Sequence, residues 1–217
     1  MGIAVLVLGE SGSGKTASLR NFSENDVSIL NVASKPLPFR NKNKLKMANK
    51  ATYTMIKGAV SSGRTPSYVI DDAQYLMAFE SFDKVNETGF TKFTQMAKNY
   101  EEMLRYIQED TDPNVIVYVL QHIDKDEDGK IKAKTLGKML DQQLTVEGLF
   151  SIVLLAQTDG KKHCFITQSD GTNPCKSPME MFEEVEIDND LKMVDDIIRE
   201  YYGLDKTTSK KKTTKSN

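Results

Sequence analysis

Ile3-Ala4-Val5-Leu6-Val7-Leu8 runs directly into Gly9-Glu10-Ser11-Gly12-Ser13-Gly14-Lys15-Thr16. An unbroken apolar run rich in β-branched residues reads as a strand buried on both faces, as in the middle of a parallel sheet. The eight residues that follow fit G-x-x-x-x-G-K-[ST], the phosphate-binding P-loop pattern, and they stand directly after a strand, as that motif requires. In such a turn the backbone N–H groups point inward and wrap a polyphosphate. A helix predicted over 16–22 would offer its positive N-terminus to the same phosphates. Gly9, Glu10, Ser11, Gly12, Ser13, Gly14, Lys15, Thr16 and Ala17 are therefore the candidate nucleotide-binding residues. Lys15 is placed to reach the β- and γ-phosphates as a catalytic cation, and the Thr16 hydroxyl to ligate Mg²⁺.

The segments around this motif alternate. Val27–Val32 reads as a second strand, and Pro36 and Pro38 forbid regular structure after it. A helix is expected over 51–61, punctuated by Gly63 and Pro66. Tyr68-Val69-Ile70-Asp71-Asp72 is a third buried strand that ends in two carboxylates. Phe90, Phe93, Met96, Ala97, Tyr100, Met103, Leu104 and Ile107 recur at three- and four-residue steps, which predicts a long amphipathic helix whose stripe is core. Val115–Leu120 is a fourth strand, ending at Gln121-His122. Residues 123–134 are expected to be a charged loop and 136–144 a short helix. Residues 150–155 and 163–167 flank Thr158-Asp159-Gly160 as a β-hairpin. The last helix begins near Asp190. The class is α/β: a mostly parallel central sheet flanked by helices, with a C-terminal antiparallel hairpin.

An NTPase needs an acid near Mg²⁺ opposite its P-loop. Asp71, at the end of an apolar strand, is the candidate Walker B aspartate and, with Thr16, the candidate metal site. Asp72 is the candidate to position or deprotonate the attacking water; the competing role is an N-cap for a helix starting at Ala73. Gln121, at the end of the strand after Asp71, is a candidate γ-phosphate sensor, while His122 reads as structural. Asp124-Lys125-Asp126-Glu127-Asp128-Gly129 imitates the start of an EF-hand loop, but its twelfth position is Thr135, which argues for a turn and against calcium. GTPases carry D-x-x-G at this strand end, whereas Asp71-Asp72-Ala73-Gln74 lacks the glycine, and no [NT]-K-x-D pattern is present, so ATP is favoured.

The 217 residues suit one domain, and 39% hydrophobic with 28% charged residues is ordinary for a globular chain. No apolar stretch approaches membrane-spanning length, so no membrane partner is expected. Cys164 and Cys175 form no disulfide framework, and a reducing, cytoplasmic setting fits. Charge is unevenly spread. The tail from Lys206 to Asn217 holds five lysines and no acid, leaving the body of the chain net acidic. Lys35, Arg40, Lys42, Lys44, Lys46 and Lys50 form a second acid-free basic run. Lys130, Lys132, Lys134 and Lys138 are candidates to meet nucleic-acid phosphates. The expected division is a P-loop NTPase domain over 1–204 and a disordered lysine-rich tail over 205–217.

Four segments carry a resemblance: Gly9–Thr16, Ser34–Phe39, Val69–Leu76 and Ile187–Asp195. Together they resemble bacteriophage-encoded ATP-binding proteins, RecA-like P-loop ATPases found among phage recombination genes, over residues 1 to about 202. The resemblance implies a RecA-like core that binds ATP and Mg²⁺ in the cytoplasm of a bacterial host cell. It implies single-stranded DNA as a partner in recombination or replication, with annealing or strand exchange, and contact with phage or host replication and recombination proteins. It also implies a homo-oligomer with nucleotide held between neighbours, Lys176 reaching the neighbour's γ-phosphate. RecA takes a catalytic glutamate from the end of its second strand. This chain has Asn31-Val32-Ala33-Ser34-Lys35 there, so slow hydrolysis is expected. The alternatives are a non-hydrolysing ATP-binding adaptor for a replication protein and a small-molecule (nucleotide) kinase, which the scarcity of arginine between Arg105 and Arg199 disfavours.

Overall fold

The computed structural model describes residues 2–137 and 139–205; Met1, Lys138 and the lysine-rich tail at 206–217 lie outside the described residues. The parallel strands are β1 (Ile3–Gly9), β2 (Val27–Asn31), β3 (Lys46–Asn49), β4 (Ser67–Asp71), β5 (Ile116–Lys125) and β7 (Ile152–Thr158). The short strands β6 (Ile131–Ala133), β8 (His163–Ile166) and β9 (Glu186–Asp188) pair antiparallel. The helices are α1 (Tyr53–Ser62), α2 (Tyr75–Asp83), α3 (Thr91–Glu109) and α4 (Leu191–Tyr202).

The sheet order is β3-β2-β4-β5-β1-β7-β8-β9, with β6 on the extension of β5. β5 thus lies between the P-loop strand and the strand ending in Asp71. Parity along the strands builds two cores. Leu6 and Leu8 of β1 and Val117 and Val119 of β5 face α1, α2 and α3. Val5 and Val7, with Tyr118 and Leu120, face Leu19, Phe22 and the apolar side of α4. Every one of these residues is fully buried, which is why the strands read as continuous apolar runs.

Local chemistry sets the helix ends. Thr52 caps α1, its hydroxyl accepting from Met55 N at 3.4 Å, and Gly63 ends it in the left-handed region at φ 54°. Asp190 caps α4 by accepting from Lys192 N at 3.0 Å, and Gly203 ends it at φ 62°. α3 buries Met96, Ala97, Tyr100, Met103, Leu104 and Ile107, the stripe its periodicity predicts.

Three expectations need correcting. Residues 16–22 do not begin an α-helix: Thr16–Asn21 is a single short 3₁₀ segment, so little helix dipole stands behind the P-loop. Residues 123–134 are not all loop. β5 runs on to Lys125 and pairs with β6, and Asp126 closes the turn by accepting from Asp128 N at 3.0 Å and Lys130 N at 2.8 Å. That turn is what the EF-hand-like residues form. Finally, β3 occupies part of the stretch read as loop, pairing parallel to β2 with Ser28 opposite Lys46. It is an edge strand that buries no residue fully, so its alternation is weak.

Candidate nucleotide-binding cleft

The P-loop crosses from the end of β1 to the 3₁₀ segment, with Gly12 at φ 80° and Gly14 at φ 99°. Both angles favour glycine. At Gly14 a side chain has no space either: a Cβ there would lie 2.9 Å from His163 Nδ1 and 3.1 Å from Asn189 Oδ1. His163 and Asn189 back the loop, and Arg20 ties it down by donating to the Asn189 carbonyl at 2.6 Å. These bracing residues from β8 and the β9–α4 junction carry no local motif of their own. Ser13 Oγ and Asn189 Nδ2 are buried around this loop without a protein partner.

Lys15 does not project from an exposed loop. Its side chain folds across the turn and donates to the Gly9 carbonyl at 2.7 Å and the Glu10 carbonyl at 2.8 Å. Burial lowers its pKa to about 8, against the opposing pull of Asp72 and Asp71. Thr16 Oγ1 donates to Asp71 Oδ1 at 2.9 Å and lies 3.1 Å from Oδ2. Parity explains the meeting. Tyr68 and Ile70 of β4 face α1–α3 while Val69 faces the other core, so Asp71 emerges on the side of the P-loop. Burial, with the neighbouring Asp72 charge, raises the Asp71 pKa to about 6, and the Thr16 hydrogen bond only partly offsets this.

Asp72 is not a helix cap. It stands in the left-handed region at φ 61°, and α2 starts at Tyr75 with no side-chain cap. Its carboxylate takes Lys35 Nζ at 2.6 Å and His122 Nε2 at 3.3 Å. Burial opposes the charge, but the hydrogen bonds from His122 and Lys35 prevail and lower the pKa to about 2. Lys35 Nζ also lies 5.2 Å from the centre of the Tyr75 ring. Ser11, Gly12, Gly14, Lys15, Thr16, Ala17, Lys35, Asp71, Asp72, His122 and His163 share one cleft of about 350 Å³. Glu10 and Ser13 instead line a second hollow of about 430 Å³ toward β7 and β8, which shares Ser11 with the cleft.

Two catalytic candidates fall outside the cleft. Gln121 is fully buried. It accepts from Tyr100 Oη at 2.7 Å and donates to the Lys134 carbonyl at 2.6 Å. It has the parity of Val117 and Val119 and so turns toward α3, while His122, read from sequence as structural, faces Asp72. Lys176 is bound through its backbone to Val153, level with Leu6 and below the P-loop, and does not line the cleft of its own chain. Lys35 is the residue the motif reading missed: it belonged to a basic run, and only the fold brings that run's first member onto Asp72.

No family model matches the chain, and no curated protein matches it. Among solved structures it is similar to a prototypical ATPase from the type III secretion system of pathogenic bacteria, with a TM-score of 0.43 and 10% identity, over 71% of this chain and 51% of that one. The chain thus spans about half the length of that structure.

The residues present fit a nucleotide with Mg²⁺. Thr16 and Asp71 form a hard-oxygen pair beside a glycine cradle, the donor set this ion uses when phosphates and water complete its shell. Among the described residues no group of three or more His, Cys, Asp or Glu is placed to hold a metal without such help. Also among the described residues, no helix is long and apolar enough to cross a membrane.

Proposed function

We propose that this chain binds ATP with Mg²⁺ at the P-loop and is a slow, RecA-like ATPase acting on single-stranded DNA in phage recombination or replication. The observation that carries the reading is the Thr16–Asp71 pairing, which joins the last P-loop residue to a strand-end acid 55 positions away. The strand order, with β5 between β1 and β4, supports an ATPase of the kind with an added central strand. In this reading the P-loop amides and Lys15 hold the phosphates. Lys15 leaves the Gly9 and Glu10 carbonyls to do so. Thr16 and Asp71 hold the metal, whose contribution when bound is to neutralise charge developing on the phosphates. Asp72 orients water and does not deprotonate it, because an acid of such low pKa is a weak base. The basic run from Lys35 to Lys50, which begins in the cleft, supplies part of the electrostatic attraction for DNA.

The region that follows the second strand, where RecA carries its glutamate, reads Asn31-Val32-Ala33-Ser34-Lys35 here, and Lys35 occupies Asp72. That ion pair supports a second reading, an ATP-binding adaptor without turnover. Titration with a fluorescent ATP analogue, followed by phosphate release with and without single-stranded DNA, tests both. Binding with DNA-stimulated turnover supports the first, binding without turnover supports the second, and absence of Mg²⁺-dependent nucleotide binding rejects both. Self-assembly, with Lys176 reaching a neighbour, is tested by mass photometry with and without ATP.

A further inference from the structure

A cavity of about 680 Å³ opens between the end of β2, the turn into α1, and helices α2 and α3. It shares no lining residue with the P-loop cleft. Leu76 and Phe79 give it an apolar wall, and Phe79 is 46% exposed. Two lining residues each present a buried polar atom with no protein partner: the Tyr53 hydroxyl and Glu80 Oε2. The other Glu80 oxygen accepts from Lys84 Nζ and Asn99 Nδ2, each at 2.7 Å, so the carboxylate is fixed with one oxygen unpartnered. Lys50, Asp83 and Lys84 stand at the rim, Lys84 as the cation of the Glu80 ion pair. Lys50 closes the acid-free basic run, and its N–H is held by Ser34 Oγ at 2.9 Å.

A ligand that satisfies this set needs a flat apolar body, an N–H donor for Glu80, a hydrogen-bonding atom for Tyr53, and negative charge at the rim. We propose that the cavity receives one unpaired base of single-stranded DNA that carries an exocyclic amino group, such as cytosine. The ring lies on Phe79, the amino group donates to Glu80, the ring carbonyl accepts from Tyr53, and the flanking phosphates meet Lys50 and Lys84. An arginine side chain of a protein partner would also satisfy Glu80, but Lys84 already supplies that carboxylate with a cation and Lys50 adds a second positive charge nearby. The site also joins the P-loop cleft. The Phe79 ring stacks on Tyr75 with centroids 5.5 Å apart, and Tyr75 lies against both Lys35 and His122, the partners of Asp72. The inference deepens the single-stranded DNA reading and rests on it.

The test is fluorescence anisotropy on the full chain at fixed salt, with labelled oligo-dC, oligo-dT and an abasic oligomer of equal length. Oligo-dC is expected to bind about tenfold tighter than oligo-dT, with the abasic strand weakest. Phe79→Ala is expected to weaken oligo-dC binding about tenfold and leave the abasic strand unaffected. Tyr53→Phe, which keeps the ring, weakens oligo-dC and oligo-dT alike because both bases carry the ring carbonyl, whereas Glu80→Gln narrows the gap between them; ATP binding at the P-loop stays unchanged in both variants. Equal affinity for all three strands overturns the base site and leaves the DNA reading standing. Displacement of oligo-dC by an arginine-containing peptide in a Glu80-dependent way overturns it in favour of a protein partner. Absence of DNA binding at every salt concentration overturns the DNA reading and the base site together.

Discussion

Thr16 and Asp71 meet at 2.9 Å, the hydroxyl donating to a carboxylate that is 4% exposed. Without a cation this arrangement strains the acid, since one hydroxyl is a poor substitute for water around a buried charge beside Asp72. The strain has a sign. Asp71 titrates near 6 in the folded chain, above its unfolded value of about 3.9. Its contribution to stability is therefore greatest at low pH and is lost as pH rises from the unfolded pKa through about 6.

Asp71→Asn is expected to stabilise the nucleotide-free protein at neutral pH by about 1–3 kcal/mol, because the unfavourable ionisation disappears while an acceptor for Thr16 remains. The same change weakens Mg²⁺-dependent nucleotide binding. Thermal denaturation with and without nucleotide and Mg²⁺ checks both halves. A variant less stable than the parent in buffer alone contradicts the account.

Nucleotide affinity should be bell-shaped in pH. On the acid side, protons compete with the metal for Asp71 below about pH 6. On the alkaline side, Lys15 loses the charge that meets the phosphates above about pH 8. Calorimetric titration of Mg²⁺-nucleotide across this range measures it. The terminal phosphate titrates on the acid side as well, so Asp71→Asn should soften that limb without removing it, and leave the alkaline limb in place.

Lys35→Ala leaves Asp72 with His122 as its remaining ion-pair partner. Because Lys35 is itself more than half exposed, the loss is discounted to about 1 kcal/mol. Asp72 has a depressed pKa, so its stabilisation is present above the unfolded value and fades as pH falls toward about 2. The difference between variant and parent should therefore shrink in acid. If Lys35 restrains Asp72 as the adaptor reading supposes, ATP turnover rises in the same variant; a fall shows that Lys35 serves the phosphates instead.

Much of the cleft was legible because its chemistry is local. Gly9–Thr16 lie in one run, and the strand ending in Asp71 announces itself by Tyr68, Val69 and Ile70. What was not legible depends on which way a side chain turns or on where a distant loop returns. Gln121 and His122 are neighbours with opposite parity, and only the register of β5 decides which reaches Asp72. Lys35 sits in a proline-broken loop without periodicity, and His163 and Asn189 arrive from β8 and the β9–α4 junction at the far end of the sheet. The short 3₁₀ segment after the P-loop escaped because an apolar Leu19 and Phe22 fit an α-helical start equally well.

Gly14→Ala and Gly12→Ala should separate. Both place an alanine at positive φ, which costs about 1 kcal/mol or more. At Gly12 a Cβ meets nothing within 4 Å, so the penalty ends there. At Gly14 it meets His163 and Asn189, so further destabilisation and a displaced loop are expected, with loss of nucleotide binding. Denaturant unfolding ranks the two; equal losses would show that His163 and Asn189 do not brace the loop.

Arg199 offers a test of the scaffold apart from the cleft. It is 4% exposed. It donates to Asp195 at 2.7 Å, to the Pro66 carbonyl at 2.8 Å and to Ser67 Oγ at 2.8 Å. Asp195 in turn accepts from Ser67 Oγ at 2.5 Å and Tyr118 Oη at 3.1 Å. These bonds fasten α4 to the starts of β4 and β5, at the end of the sheet away from the P-loop. Arg199→Ala leaves Asp195 buried with two hydroxyl partners and no cation, so a loss of about 3–5 kcal/mol is expected. Arg199→Lys keeps the charge but not the planar fork, which also reaches the Asn114 and Asp205 carbonyls and so serves five acceptors at once, and should recover only part of that loss. Although α4 also covers the back of the 3₁₀ segment, the Arg199 contacts lie at the opposite end of the sheet, so nucleotide affinity measured well below the melting point should change little in the lysine variant. Full recovery of stability by lysine would mean that charge alone, and not the fork, holds this corner together.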